Sequence, residues 1–233
     1  MPRAVRKGGA SDDQPAIATQ GGARRKYESP RQLARQTNIL ATAREQLAEV
    51  GYAGMTMRGL AQAAGVAQGT LYNLYKSKDE LIVAAIQDLL TSVDARARER
   101  EPADGIDAIL AVTEEASRQI QATPGYADAV ARALLRVQPD DPLIDVLFGR
   151  LIPFISRQLD IARKRRELVE GVNIDLLTKH LVGQSWGVIL LWLNGFLPLR
   201  HITRERHRSE LMTLVAVTRG RMKKQLEAKL RAL

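Results

Sequence analysis

Cysteine is absent from the 233 residues, and histidine occurs three times, at His180, His201 and His207. Without thiols there is no disulfide, no cysteine-based zinc site and no thiol nucleophile, a usage compatible with a reducing cytoplasm. The histidines lack metal-ligand spacing, His201 and His207 standing six apart across an expected helix start. Strand-type alternation is missing too, so no glycine-rich phosphate loop can follow a strand. No Ser, His and acid set has a recognisable spacing. These absences predict a chain with no catalytic residues, no metal and no cofactor: not an enzyme. Long apolar runs are also lacking. Residues 1–26 have no apolar centre of the signal-peptide type. The most apolar stretch, 181–199, is interrupted by Gln184, Ser185 and Asn194. It is short for a membrane span and reads as a buried helix.

What is present is basic charge, unevenly spread. The formal net charge is +9. Residues 1–78 hold 12 Lys/Arg against 5 Asp/Glu, residues 79–196 hold 13 against 18, and residues 197–233 hold 10 against 3. Two basic ends flank an acidic middle. A basic segment beside a compact helical motif suggests a polyanionic partner, and a solvated basic surface is the plainer alternative.

Residues 1–28 are rich in Gly, Ala, Gln and charge, and predict a disordered basic tail. Order begins at "SPRQ", where Ser29 caps, Pro30 suits the first helical position and Gln32 completes a capping box. Leu33, Leu40 and Leu47 repeat every seven residues, with Ala43 and Val50 beside them, as one apolar face. Gly51 ends that helix. Thr56 opens a short second helix, Gly65 permits a sharp turn with Val66 in the corner, and a third helix covers about Gln68–Tyr75. "SKDE" gives a second capping box, Ser77 with Glu80, opening a long helix through about Arg98. Breakers then bound helical stretches near 106–122, 126–137, 143–168, 174–194 and 204–231, with Pro153 expected to kink or split the third. The expectation is an all-α chain of about nine helices. It would comprise a tail (1–28), a three-helix DNA-binding domain (29–80) and a larger helical ligand-binding and dimerisation domain (81–233).

A helix, a tight glycine turn and a second short helix form a helix-turn-helix, whose second helix fits the major groove. With Leu71 facing inward, Gln68, Gly69, Thr70, Tyr72 and Asn73 turn outward. Gln and Asn pair bidentately with adenine, and Thr meets a thymine methyl or a phosphate. Gly69 lets the backbone come close, and Tyr72 offers a hydroxyl to phosphate. Lys78 sits in the first turn of the next helix, where ammonium and helix amides can hold one phosphate. An ordinary buried hairpin, with Tyr72 and Tyr75 in the core, is the alternative.

The run "ILATAREQLAEVGYAGMTMRGLAQAAGVAQGTLYNLYKSKDEL" closely resembles the DNA-binding domain of the TetR family of bacterial transcriptional regulators, without a gap over about Arg35–Leu81. The remainder matches only in helix pattern and length. The resemblance adds Thr56, capping the second helix near a phosphate, and Arg58, reaching a base or phosphate. Two positions depart from the family pattern. Ala67 stands where Ser often caps the recognition helix, and Leu74 where Tyr or His often adds a phosphate contact.

The resemblance further implies a homodimer held by the last two helices, a palindromic double-stranded DNA operator and a small-molecule effector. The residues permit the dimer. Gly183 and Gly187 allow close helix approach, Leu190 extends that stretch, and Leu211, Val215 and Met222 form a stripe on the last helix; alternatively these stripes close the monomer core. Tyr126, Phe148, Phe154, Trp186 and Trp192 are the large side chains available to wall a pocket for an apolar or amphipathic effector, or else plain core. Glu114, Glu115, Arg132 and Arg136 are weaker polar candidates. The expected chain is a cytoplasmic, ligand-responsive repressor with no membrane partner. The alternative is a basic helical membrane-surface or interaction protein without sequence-specific DNA binding.

Overall fold

The computed structural model describes residues 29–100, 104–135 and 141–233; the tail expected over 1–28, and Arg136, lie outside them. Among the described residues the fold is all-α, with ten α-helices, one 3-10 turn and a single isolated β-bridge. The helices are α1 (Pro30–Gly54), α2 (Met57–Ala63), α3 (Gln68–Leu74), α4 (Lys78–Arg100), α5 (Gly105–Ala122), α6 (Pro124–Leu134), α7 (Pro142–Lys164), α8 (Ile174–Leu193), α9 (Ile202–Val217) and α10 (Gly220–Arg231).

Local signals start and stop the first four. Ser29 Oγ accepts from the Gln32 N–H while Gln32 Oε1 accepts from the Ser29 N–H, a complete capping box. Ile39, Leu40, Ala43 and Leu47 are buried. Leu33, expected on that face, is 50% exposed because the first turns of α1 project beyond the core. Gly51 adopts φ +67° and kinks α1, and a last turn carries the chain to Gly54. Thr56 Oγ1 accepts from the Gly59 N–H at 3.1 Å and caps α2. Gly65, at φ +66°, makes the tight turn, and Asn38 Nδ2 ties α1 to the Ala64 carbonyl at 3.0 Å. Ser77 Oγ accepts from the Glu80 N–H, but Glu80 Oε2 accepts from the Lys76 N–H, so the second box is only half closed.

The core under α1–α4 runs across residue 80. It joins Ile39, Leu60 and Leu71 to Ile82 and Ile86 of α4, to Tyr126 and Val130 of α6, and to Leu143 and Val146 of α7. A second core lies among α5, α7, α8, α9 and α10, centred on Ile106, Leu159, Leu181, Leu211 and Leu226.

Two expectations about the later helices change. Pro153 does not split its stretch; α7 runs unbroken from Pro142 to Lys164, with Pro153 exposed. The expected helix 204–231 is two helices, which raises the count to ten. Gly220 at φ +62° restarts the chain after Thr218 has paired with Leu168 in the β-bridge, where the Val169 N–H donates to the Val217 carbonyl at 2.9 Å. Leu211 and Met222 therefore do not share one helical stripe.

Ala67 is the N-cap of α3, with extended backbone and no side-chain cap bond. Ala67→Ser should supply that acceptor and stabilise the chain by about 0.5–1 kcal/mol, read as a melting temperature higher by about 1–4 °C. An unchanged melt would mean that α3 is limited by packing rather than by its cap.

Candidate nucleic-acid interface and internal cavity

The α3 face is set by Leu71, which is fully buried in the first core. At 3.6 residues per turn this turns Gly69, Tyr72 and Asn73 outward, while Gln68 is exposed as the first residue of the helix; Tyr72 is 45% exposed and Thr70 half-buried. Gly69 has ordinary helical backbone, and among the described residues nothing beyond its own helix backbone and chain neighbours lies within 4 Å of where a Cβ would stand. Glycine inside a helix costs about 0.8–1 kcal/mol relative to alanine, so internal packing does not account for it. Thr56, the N-cap of α2, and Arg58 within α2 are exposed, and Thr56 Oγ1 is engaged by its capping bond.

Lys78 is placed differently from the expectation. Its Nζ donates to the carbonyls of Tyr52 (2.9 Å) and Met55 (3.2 Å) and lies 3.9 Å from the Tyr52 ring centroid. The ammonium thus pins the chain segment after the α1 kink, leaving one of its three N–H donors. Asp79 completes the pin by accepting the Tyr52 hydroxyl, a bond that pushes the Tyr52 pKa up to about 12.

Among α4 to α9 is a cavity of about 380 Å³, within the size range of small-molecule sites. Its lining includes Leu89, Val93, Leu151 and Ile189, together with four of the expected aromatics, Tyr126, Phe154, Trp186 and Trp192. Phe148 is not in the lining; it packs behind, with its ring centroid 5.5 Å from that of Trp186. The weaker polar candidates are elsewhere. Glu115 is buried in ion pairs with Arg96, Arg118 and Arg100; burial would raise its pKa, but the hydrogen bonds from Arg96 and Arg118 hold it below the usual range. Glu114 pairs with Arg118, and Arg132 with Asp128.

The sequence reading missed the cavity's polar wall. Arg206 and Glu210, one turn apart on α9, are both buried and both line it. Arg206 donates to Ser185 Oγ from Nε (3.0 Å) and Nη2 (2.6 Å), and to Ser117 Oγ from Nη1 (2.8 Å). Burial lowers its pKa despite the attraction of Glu210. Burial also pushes Glu210 up to about 7, against Arg206 and a hydrogen bond with Thr113, and its Oε2 has no partner. In "RERHRSE" both residues look like members of a solvated basic helix.

The outer face of α8 and α9 corrects the expected stripe. Gly183 is exposed and Gly187 half-buried, and among the described residues nothing beyond their own helix backbone and chain neighbours lies within 4 Å of where a Cβ would stand. Leu190 is half-buried. Leu211 and Met222 point into the second core, against which Val215 also packs. The apolar side chains that do face outward are Leu176 (66% exposed) and Leu191 on α8 and Met212 (59%) on α9. Leu176, Gly183, Gly187 and Leu191 are seven, four and four apart, so extending the glycine spacing along α8 would have found them.

Comparisons with known proteins agree with this architecture. Residues 39–85 match the family described as bacterial regulatory proteins, tetR family. The HTH-type transcriptional regulator UidR of Escherichia coli K12 is 25% identical over 157 residues, 66% of this chain and 79% of the relative. The HTH-type transcriptional repressor KstR of Rhodococcus jostii RHA1 is 28% identical over 124 residues, 50% of this chain and 58% of KstR. The fold is shared with FadR of Bacillus subtilis, solved in complex with stearoyl-CoA (TM-score 0.66, 18% identity, 76% of this chain and 97% of that one). It is shared equally with SmeT, the repressor of a Stenotrophomonas maltophilia multidrug efflux pump (TM-score 0.66, 19% identity, 80% and 92%).

Because the folded Glu210 pKa is raised, the folded chain binds this proton more readily than the unfolded chain between the ordinary glutamate range and about 7. Its contribution to stability is therefore complete at low pH and is lost as pH rises through that window. Urea unfolding from about pH 5 to about 7.5 should show wild type losing stability relative to Glu210→Gln. Parallel curves would place Glu210 in a solvated environment.

Proposed function

We propose that the chain is a DNA-binding transcriptional regulator of the TetR family, a repressor binding a palindromic operator as a homodimer. An apolar or amphipathic small molecule filling the cavity releases it. The observation that carries this reading is the polar exposed surface of α3, Gln68, Gly69, Tyr72 and Asn73 over a buried Leu71. A glycine that internal packing does not need fits a helix that must approach an outside surface closely. Gln68 and Asn73 supply bidentate base readers, and Thr56, Arg58, Thr70, Tyr72 and the remaining Lys78 donor supply phosphate and backbone contacts.

One seven-residue helix reads too few bases for useful specificity, so two heads are needed. Two heads about 34–36 Å apart, or somewhat more, meet successive major grooves on one side of the duplex. Gly183, Gly187, Leu176, Leu191 and Met212 form the face that would join two copies, because small residues let helices approach and the exposed apolar side chains gain by burial. The reading places the protein in the cytoplasm, with DNA. No helix among the described residues is long and apolar enough to cross a membrane.

Selection of bound duplexes from a random pool, at two salt concentrations, tests the reading. A palindromic consensus is expected. Binding without a consensus, collapsing as salt rises, would mean that the basic charge acts non-specifically. On the selected duplex, Gln68→Ala should cost ~1–3 kcal/mol and relax preference at one position per half-site; a uniform loss over all sequences would make Gln68 a positioning residue. Leu191→Asp combined with Met212→Asp should turn the dimer into a folded monomer in analytical ultracentrifugation. A surviving dimer would move the interface off this face.

A further inference from the structure

We propose that the cavity's ligand is an apolar molecule ending in a carboxylate, and that Arg206 selects it. The inference rests on reading the cavity as the effector site. The cavity is apolar over most of its wall, with Leu89, Leu90, Val93, Leu151, Trp186 and Ile189 in its lining. Against this wall stands a buried cation. Arg206 has five N–H donors. Three are taken by hydroxyls, two by Ser185 and one by Ser117. Ser117 spends its own hydroxyl hydrogen on the Thr113 carbonyl at 2.7 Å. That leaves two guanidinium N–H groups, one on each terminal nitrogen; the three hydrogen-bond partners are neutral, and among the described residues Glu210 acts on Arg206 through its charge without a close ion pair. A buried cation whose partners are all neutral is costly unless an anion is supplied.

Glu210 does not fully supply it. The carboxyl stands one turn along α9 with Oε2 unpartnered and its proton held up to about 7 by burial. A ligand carboxylate would complete the set. It would accept from the remaining Arg206 donors through charge-assisted hydrogen bonds, the stronger kind. Protonated Glu210 would then donate to the same carboxylate, which gives its free oxygen a partner and leaves the buried Tyr126 hydroxyl in the wall still without one. A ligand alcohol could accept one donor but would leave the charge unbalanced, and an ammonium would meet a like charge. The exposed lining of α4 and α7 agrees in sign. Arg98 and Arg157 carry no ion pair among the described residues, and Arg150 is paired with Asp94 at 3.0 Å. A basic rim attracts anions from solution.

The chain's two tryptophans, Trp186 and Trp192, both line the cavity, so intrinsic fluorescence reports its filling. The full chain would be titrated with dodecanoate, dodecanol and dodecyltrimethylammonium below their micellar concentrations. Dodecanoate should bind tighter than dodecanol by about tenfold or more, the scale of a charge-assisted hydrogen bond, and the ammonium should not bind. Arg206→Met should bring acid and alcohol to parity, while Arg157→Gln should keep the preference. Equal or better binding of the alcohol by wild type overturns the carboxylate assignment, and does so even if Arg206→Met fails to fold. A preference that survives Arg206→Met but disappears in Arg157→Gln moves the selecting cation to the rim. If none of the three perturbs the tryptophans, the cavity is not an amphiphile site, and the effector part of the proposed function falls with it.

Discussion

The packing of α6 against α1 is the contact on which the rest of the molecule depends. Gly125, in the first turn of α6, lies so close to α1 that a Cβ there would stand 3.2 Å from the Ala48 carbonyl oxygen. The next residue, Tyr126, is buried in the core that also holds Ile39, Leu60 and Leu71. Tyr126, Ala127, Val130 and Ala131 line the cavity as well. One short helix is therefore both a wall of the cavity and a face of the core on which α3 rides. α4 has the same double role, with Ile86 in that core and Ile86, Leu89, Leu90 and Val93 in the cavity wall. Close-packed interiors do not absorb displacement by compression. A ligand that pushes α6 or α4 outward must move α1, or lose that contact.

Charge tells a different story in space than along the chain. The basic ends suggest a broad solvated or polyanion-binding surface, but two of their cations are occupied internally. Lys78 holds the carbonyls of Tyr52 and Met55, and Arg206 is buried between Ser117 and Ser185. The first fixes the segment leading into α2. The second gives an apolar cavity its one deep cation. Neither acts as a diffuse surface charge.

The helix-turn-helix was legible because its signals are local. Ser29 with Gln32, Thr56, Gly65 and the inward Leu71 each act within a few residues of their own position. What was not legible depends on partners far along the chain. The helix break before Gly220 is held by the pairing of Thr218 with Leu168, 50 positions back, and it takes Leu211 and Met222 off one stripe and lets both enter the core. Arg206 meets Ser117, 89 positions away, so nothing in its own neighbourhood marks it as buried. The expected Ser77–Glu80 box closes only from the Ser77 side, because the Glu80 carboxylate takes the Lys76 N–H instead, a choice of one position that spacing does not resolve.

If α6 and α4 couple the cavity to the reading helix, ligand and operator must oppose each other reciprocally, each weakening the other by the same factor. The direct measurement is the affinity of a cavity ligand for the free protein and for the protein saturated with operator, followed through Trp186 and Trp192. The shared helices predict weaker ligand binding on DNA, by the same factor by which the ligand weakens operator binding. Equal ligand affinity with and without operator would contradict the coupling, and with it the account of a ligand-released repressor.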